Sequence, residues 1–403
     1  MRRLRYIASV LVIAVMVQIS GLVDLGLRLG SQSLTLPRLP EPDFPEPGES
    51  WMIGVYYYEA LHPGFLAGAE LAEAEINAKG GILGRPIKIK AVDEAGFSER
   101  AEERNLAARR HFDHDRVLAV MGGSSDLIIR NASDWFDDLG ILYFNPLFPL
   151  SNVGNPGKPY VFATIPDRER IGDNLAQAMS EMGATRIAIV ASRERAAQEI
   201  RHSIQDIAPS LALDVVADLG MAGADASYID ELVRLSSAQP EAIALLLPKA
   251  EREVFLRQAA RMKLNAPIFL GHPEGIVPWA EDFAGLTATE WPELELWQAE
   301  PLENPRADRA GLSRFQTSYQ SRFDQAPSYW AAQGYDTLRM IAQVAEEIGS
   351  DHPLQIATAL NTQTAWTGIT GPHSFTNSGR IYTKDWPYGP LRLTDLARNT
   401  LSH

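Results

Sequence analysis

The 403-residue sequence contains no cysteine. This absence excludes disulfide bonds, thiolate metal ligands, a cysteine nucleophile and a lipid-modified N-terminal cysteine. Net positive charge is lacking as well, because 51 acidic residues outnumber 37 basic ones and leave a formal net charge of −14. That sign argues against nucleic acid or an anionic membrane surface as the main partner.

Catalytic signatures are also missing. The sequence has no G-x-G-x-x-G, no P-loop, no G-x-S-x-G and no H-E-x-x-H. Its one metal-like cluster, HFDHD at 111–115, closes a predicted helix, where histidines favour the negative end of the dipole. We therefore expect that cluster to be a solvated surface, and we predict no enzyme activity, no metal and no cofactor.

The N-terminus has the pattern of an export signal. Arg2, Arg3 and Arg5 precede an apolar run at 7–17, which has the length of a signal-peptide core. No clean A-x-A cleavage site follows, so an uncleaved anchor at 6–27 is the alternative, with roughly the 20 residues needed to span a bilayer. In both cases the body of the protein is expected in the periplasm, free or tethered to the inner membrane.

A proline-rich segment separates this signal from the rest of the chain. Five prolines lie within 37–47, a composition that favours an extended, semi-rigid spacer. We assign residues 1–30 to the targeting segment and 31–49 to the linker.

The folded body opens with a strand, a helix and a second strand. Residues 52–58 are apolar and aromatic, as in a strand covered on both faces. Apolar residues then recur at helical spacing from Phe65 to Ile76, and Gly80 and Gly81 end that helix before a strand at 87–92. The same alternation continues to about residue 270, with a helix at 98–113 and a strand at 211–219 among its elements, and predicts an α/β protein with parallel sheets. Helices follow at 312–323, 329–348 and 353–360, then a short β-rich tail at 374–393.

Four segments, in order, carry a family resemblance. They are GAELAEAEINAKGGILGRPIKI at 68–89, ASDWFDDLGIL at 132–142, the LRQA helix and GHPEG turn within 255–275, and TGPHSFTNSG at 370–379. Together they resemble the type I periplasmic binding proteins, which include the Leu/Ile/Val-, amide- and urea-binding proteins of ABC importers. The resemblance covers about residues 52–393.

This resemblance implies two doubly wound, Rossmann-like lobes joined by three crossing segments. Lobe 1 would comprise residues 50–166 and 291–378, and lobe 2 residues 167–290 and 379–400. The implied function is capture of a small polar ligand, such as an amino acid or amide, by hinge closure and its delivery to the membrane permease of an ABC importer. A membrane-anchored sensory or regulatory protein that acts through a separate partner is the alternative.

The resemblance also implies binding residues. Glu274, in the GHPEG turn, stands where family members hold an α-ammonium; a role limited to the first turn of the next helix remains open. Ser124 and Ser125 lie in the loop where hydroxyls and N–H groups hold the α-carboxylate, with helix capping as the alternative. Asn145 and Phe148 replace the hydroxyl-bearing stretch after the next strand, so a branched-chain amino acid is not favoured.

Three further residues complete the predicted site. Lys249 stands near the position of a missing family tyrosine and offers a charge to an acidic ligand; a solvated lysine at a helix start is the alternative. Tyr56 and Tyr58 end the first strand, and at least one of its tyrosines is expected to face the rim of the cleft, although packing is the more common role.

Overall fold

The computed structural model describes residues 49–96, 112, 117–147, 157–220, 223, 227–271, 294–362, 365–375 and 387–390. Predictions for the N-terminal segment and linker, for a helix at 98–113 and for Phe148 and Glu274 lie outside these residues. So does the 111–115 cluster, apart from Phe112.

In the described part of the chain, the first sheet contains five parallel strands. They are β1 (Trp51–Tyr57), β2 (Ile87–Asp93), β3 (Val117–Gly122), β4 (Leu142–Asn145) and β5 (Val161–Ala163), in the order β2-β1-β3-β4-β5. Helix α1 (Phe65–Ala78) links β1 to β2, and α2 (Asp126–Asp138) links β3 to β4. β3 and β4 are buried along their whole length, as their apolar sequences require of strands covered on both faces.

The second sheet contains, among the residues described, six strands in the order β13-β10-β9-β8-β6-β7. Five of them are β6 (Arg186–Ala191), β7 (Asp214–Gly220), β8 (Ala242–Leu246), β9 (Ile268–Leu270) and β10 (Leu296–Ala299). All of these pair in parallel, whereas β13 (Tyr388–Pro390) is antiparallel to β10. Helices α3 (Arg168–Glu181), α4 (Arg195–Ile207), α5 (Ile229–Ala238) and α6 (Lys249–Arg261) alternate with these strands.

The described residues from 301 onward form three helices and a hairpin besides β13. They are α7 (Arg309–Phe323), α8 (Tyr329–Ile348), α9 (Pro353–Thr362), β11 (Trp366–Gly368) and β12 (Gly371–His373). The buried carboxylate of Asp336 on α8 accepts hydrogen bonds from the N–H groups of Ile369 and Thr370 at 3.0 and 2.8 Å. This side chain therefore fastens the hairpin to the helix.

The α/β class with parallel sheets is confirmed, and the element pattern departs from prediction at three places. The strand expected at 211–219 begins at Asp214, because residues 208–211 form a 3-10 turn that contains Pro209. The β structure of the tail begins at Trp366 rather than at residue 374. Strand β10 was not predicted, and it pairs with β9 in the second sheet although the predicted boundary at residue 291 placed it in lobe 1.

Candidate functional site

Each sheet has one point where its strand order reverses. In the first sheet the reversal lies between β1 and β3, and in the second between β6 and β8. Ligands of open α/β sheets bind at the carboxyl ends of the strands that flank such a point, because neighbouring loops diverge there and leave a crevice. The loops that follow β1, β3, β6 and β8 are therefore the candidate site.

Ser124, in the loop after β3, is bonded to a carboxylate of the protein. Its N–H lies 3.1 and 3.0 Å from the two carboxylate oxygens of Glu94, and its hydroxyl donates to Oε2 at 2.5 Å. Glu94 follows β2 directly and is only 6% exposed. Ser124 is predicted from the sequence as a ligand donor, whereas Glu94, 30 residues away along the chain, is not predicted as its partner.

Ser125 takes the capping role. It is the N-cap of α2, with extended backbone, and its hydroxyl accepts from the N–H of Ile128 at 3.4 Å. Capping of this kind satisfies one of the N–H groups left open at a helix start. The side chain is thereby directed to its own helix.

The carbonyl and hydroxyl groups around Gly122 fix the start of the same loop. Gly122 has a φ of 107°, and a Cβ there would lie 2.0 Å from the carbonyl oxygen of Tyr56. The Tyr143 hydroxyl donates to the Gly122 carbonyl at 2.8 Å. Burial, together with the nearby charge of Glu94, raises the pKa of Tyr143 well above its ordinary value, so this donor keeps its proton.

The two tyrosines predicted for the site, Tyr56 and Tyr58, differ in burial. Tyr56 is fully buried and packs edge-on against Phe112 at 5.1 Å between ring centroids, with Phe136 beside them. Its side chain therefore lies in an aromatic cluster of the core. Tyr58 follows the strand, is partly exposed, and its carbonyl accepts from the N–H groups of Leu61 and His62.

The buried rings of His62, in the loop after β1, and of Trp330, at the start of α8, were not predicted to meet. His62 is 5% and Trp330 4% exposed, and their rings meet edge to face at 4.5 Å. Among the described residues, His62 Nδ1 and Trp330 Nε1 have no hydrogen-bond partner. Burial lowers the pKa of His62 to about 3, so its ring is neutral at physiological pH. An isolated histidine in a loop and a tryptophan 268 positions later give no local signal of this contact.

At the end of β4, Asn145 is fully buried. Its side-chain oxygen accepts from the N–H of Leu147 at 3.3 Å, and its backbone carbonyl accepts from Thr164 at 3.0 Å. The side chain thus shapes the turn that leaves the strand.

At the reversal point of the second sheet, Lys249 is the first residue of α6 and is exposed. Ser192, after β6, is buried and its N–H donates to the Leu246 carbonyl at 3.0 Å, which ties the two loops together. The adjacent Arg252 is 1% exposed and donates to the Leu247 carbonyl at 3.3 Å. Lys249 is thereby placed at the carboxyl edge of this sheet.

Among the described residues, no helix is both long enough and apolar enough to cross a bilayer. Within those residues, no group of three or more histidines, aspartates or glutamates is arranged to hold a metal ion.

A sequence family described as periplasmic binding protein matches residues 54–387. The Leu/Ile/Val-binding protein of Citrobacter freundii is 28% identical over 210 residues, 52% of this chain, and the chain spans only about half of that relative, 56%. A leucine-, isoleucine-, valine-, threonine- and alanine-binding protein of Pseudomonas aeruginosa is 23% identical over 79% of this chain and 83% of its own length. These relatives are named as binding proteins rather than as enzymes.

A solved structure shares the fold. An ABC transporter substrate-binding protein of Desulfitobacterium hafniense, in complex with Leu, has a TM-score of 0.70 and 22% identity, and the match covers 86% of this chain and 98% of that one. At that identity the likeness concerns the two-lobed architecture alone.

Proposed function

The chain belongs to the periplasmic binding protein family, and we propose that it is an exported solute-binding protein that captures a small polar ligand between two lobes. In this proposal the ligand is an amino acid, an amide or a similar molecule. The protein then presents it to the membrane permease of an ABC importer. The family match confirms the resemblance drawn from the four sequence segments.

One observation carries the binding role: the two sheets each have a single reversal point, and polar groups follow the flanking strands at both. Ser124, which is bonded to Glu94 of the neighbouring β2 loop, follows β3 at the first, and Ser192 and Lys249 follow β6 and β8 at the second. A ligand that contacts both sets only when the lobes are closed would stabilise the closed state, which is the basis of hinge closure.

The lobe boundaries are part of the proposal. The segment from β5 to α3, at 164–167, leaves the first sheet, and the segment from β10 to α7, at 300–308, leaves the second. Because β10 pairs within the second sheet, we move the second crossing from residue 291 to about residue 300. The third crossing, expected near 378, lies outside the described residues.

Ligand-dependent stability tests the function. The purified protein would be melted with amino acids, primary amides, urea and short carboxylates, and a true ligand at 100 times its Kd should add about 2.7 kcal/mol of stability. Small-angle scattering with that ligand should show a smaller radius of gyration, as closure requires. Direct binding to a macromolecule, with no response to any small molecule, would overturn the proposal.

A further inference from the structure

The ring pair of His62 and Trp330 is a buried contact in which two nitrogen atoms lack partners. The rings meet edge to face at 4.5 Å, and both side chains are almost fully buried. His62 Nδ1 and Trp330 Nε1 form no hydrogen bond with any described residue. A buried polar group without a partner lowers the stability of a protein and is rare, so such a pair points to a role beyond packing.

A second ring pair shows the structural form of the same contact in this chain. Trp366 and His373 also meet edge to face, at 5.3 Å between ring centroids. Here Trp366 Nε1 donates to Gln343 Oε1 at 2.6 Å, and His373 Nδ1 lies within hydrogen-bond distance, 3.0 Å, of the Gly371 carbonyl oxygen. The corresponding nitrogen atoms are thus satisfied inside the protein. The lack of partners in the first pair is therefore a property of its place, and not of the ring geometry.

That place is the edge of the first sheet at which the candidate site lies. His62 belongs to the loop after β1, which flanks the reversal point of the sheet, and Trp330 lies in the first turn of α8. The N–H groups in the first turn of a helix attract acceptor atoms and negative charge. An oxygen atom brought here would therefore find the Trp330 indole N–H and a helix N-terminus together.

The backbone around both rings is fastened. The Ser328 hydroxyl donates to the Pro63 carbonyl at 2.5 Å and accepts from the Ala331 N–H at 3.0 Å. The Gly64 N–H donates to the Glu59 carboxylate at 2.8 Å. The loop after β1 is thus joined to the start of α8, and rotation of the two side chains is the smallest movement that exposes their nitrogen atoms.

We propose that Trp330 and His62 are ligand-binding residues at the lobe-1 end of the site, and that their rings part when the ligand enters. The Trp330 indole N–H, which can only donate, then bonds to a carboxylate or amide oxygen of the ligand, and His62 Nδ1 contacts the second polar atom of the same group. These partners remove the cost of burying two unpaired nitrogen atoms. The inference rests on the proposed function and adds to it the ligand group and the residues that hold it.

Titration of two variants that keep an aromatic ring at the contact tests the binding role. Trp330→Phe lacks the indole N–H, and His62→Phe lacks the ring nitrogens. The probes are leucine and leucinamide, followed by any other molecule that raises the Tm in the melting screen. Each variant should bind about tenfold more weakly than the wild-type protein, the size of one lost buried hydrogen bond. Tighter wild-type binding of leucine would identify the bound oxygen as a carboxylate, and tighter binding of leucinamide as an amide.

Tryptophan emission reports the separation of the rings. Ligand at saturating concentration should change the emission intensity of the wild-type protein, and this change should be largely lost in Trp330→Phe. Trp366→Phe is the matched control, because it removes a tryptophan from a similar ring pair whose indole N–H is bonded inside the protein. It should keep both the emission change and the wild-type affinity.

The stability of the ligand-free protein separates binding from packing. His62→Phe replaces an unpaired buried nitrogen by an apolar ring edge, so its Tm should equal or exceed that of the wild-type protein although its ligand affinity is lower. This variant also gives the readout if Trp330→Phe does not fold.

Two results would overturn the role of the ring pair and leave the binding function standing. They are wild-type affinity in both ring variants, and an emission change that persists undiminished in Trp330→Phe. If neither these probes nor any other molecule of the melting screen binds the wild-type protein, the binding function itself fails, and the inference fails with it.

Discussion

Gly68 of α1 lies directly against the backbone of Ala331 in α8. A Cβ at residue 68 would be 1.9 Å from the Ala331 carbonyl oxygen. The two helices approach this closely because Gly334 on α8 lies in turn against the carbonyl of Phe65. Small residues on both helices thus set the distance between their axes, and through it the position of the loop that follows β1.

Gly68→Ala should therefore destabilise the protein by about 3 kcal/mol, since the added methyl group overlaps rigid backbone and outweighs the better helix propensity of alanine. Urea denaturation measures the change. Gly220→Ala is the control, because nothing lies within 4 Å of a Cβ there, and it should stay within about 0.5 kcal/mol of wild type. Equal stability of both variants would show that the helices separate easily.

Elements with a strong local pattern could be predicted from the sequence, and β10 could not. Helix α8 matches its predicted bounds, because apolar residues recur at helical spacing, Ser328 caps its start and Gly349 ends it. Strand β10 has only four residues, and its hydrogen bonds come from β9 and from β13, some 90 residues away. Such pairing depends on tertiary structure that no short window contains.

Features of the candidate site could likewise be predicted only where the sequence carries a local signal. The loop that holds Ser124 and Ser125 could be located, because a strand followed by Gly-Gly-Ser-Ser is a local signal. The partner of Ser124 could not, since Glu94 is distant in sequence and reaches it only through the β2-β1-β3 strand order. Tyr56 was expected near the cleft, yet Phe112 and Phe136 enclose it from segments whose packing the sequence does not specify.

Asp336→Ala should cost roughly 3 kcal/mol of unfolding free energy, because three donors of the hairpin turn lose a buried charged acceptor. The donors are the N–H of Ile369 and both the N–H and the hydroxyl of Thr370, at 2.7–3.0 Å. Denaturation in urea checks the loss. Glu347→Ala removes an exposed acid from the same helix and should be nearly neutral; a comparable loss there would show that the cost does not come from the hairpin contacts of Asp336.

His62 should make stability depend on pH. Its folded pKa of about 3 lies below the ordinary 6.5. Between these two pH values the ring binds a proton in the unfolded chain but not in the folded protein. The contribution of His62 to the free energy of unfolding is complete above about pH 6.5, and it falls by about 1.4 kcal/mol per pH unit as the pH drops toward 3.

The variant His62→Asn should lose this part of the pH dependence. Unfolding free energies at pH 7, 6 and 5 give the slope for wild type, His62→Asn and His202→Asn. His202 is exposed on α4, and its replacement should leave the wild-type slope intact. A slope unchanged in His62→Asn would mean that the ring is protonated in the folded protein.

The N-terminal segment should be removed on export. Expressed in a Gram-negative host, the protein is expected in the osmotic-shock fluid, with a mature mass that places its first residue beyond residue 20. A variant without residues 1–48 should remain in the cytoplasm. Recovery of the intact chain in the membrane pellet would support the anchor and the sensory alternative.

Glu274 should determine whether amine-bearing ligands bind. A buried ammonium group needs a charged partner, and the GHPEG turn resembles the segment that supplies one in the family. Glu274→Ala should therefore weaken leucinamide binding by about a hundredfold or more, the size expected when a buried charge loses its partner. The same variant should bind isobutyramide, which has no amine, as the wild-type protein does. Equal affinity of both proteins for leucinamide would remove Glu274 from the site, and an equal loss for both ligands would assign it a structural role in the turn.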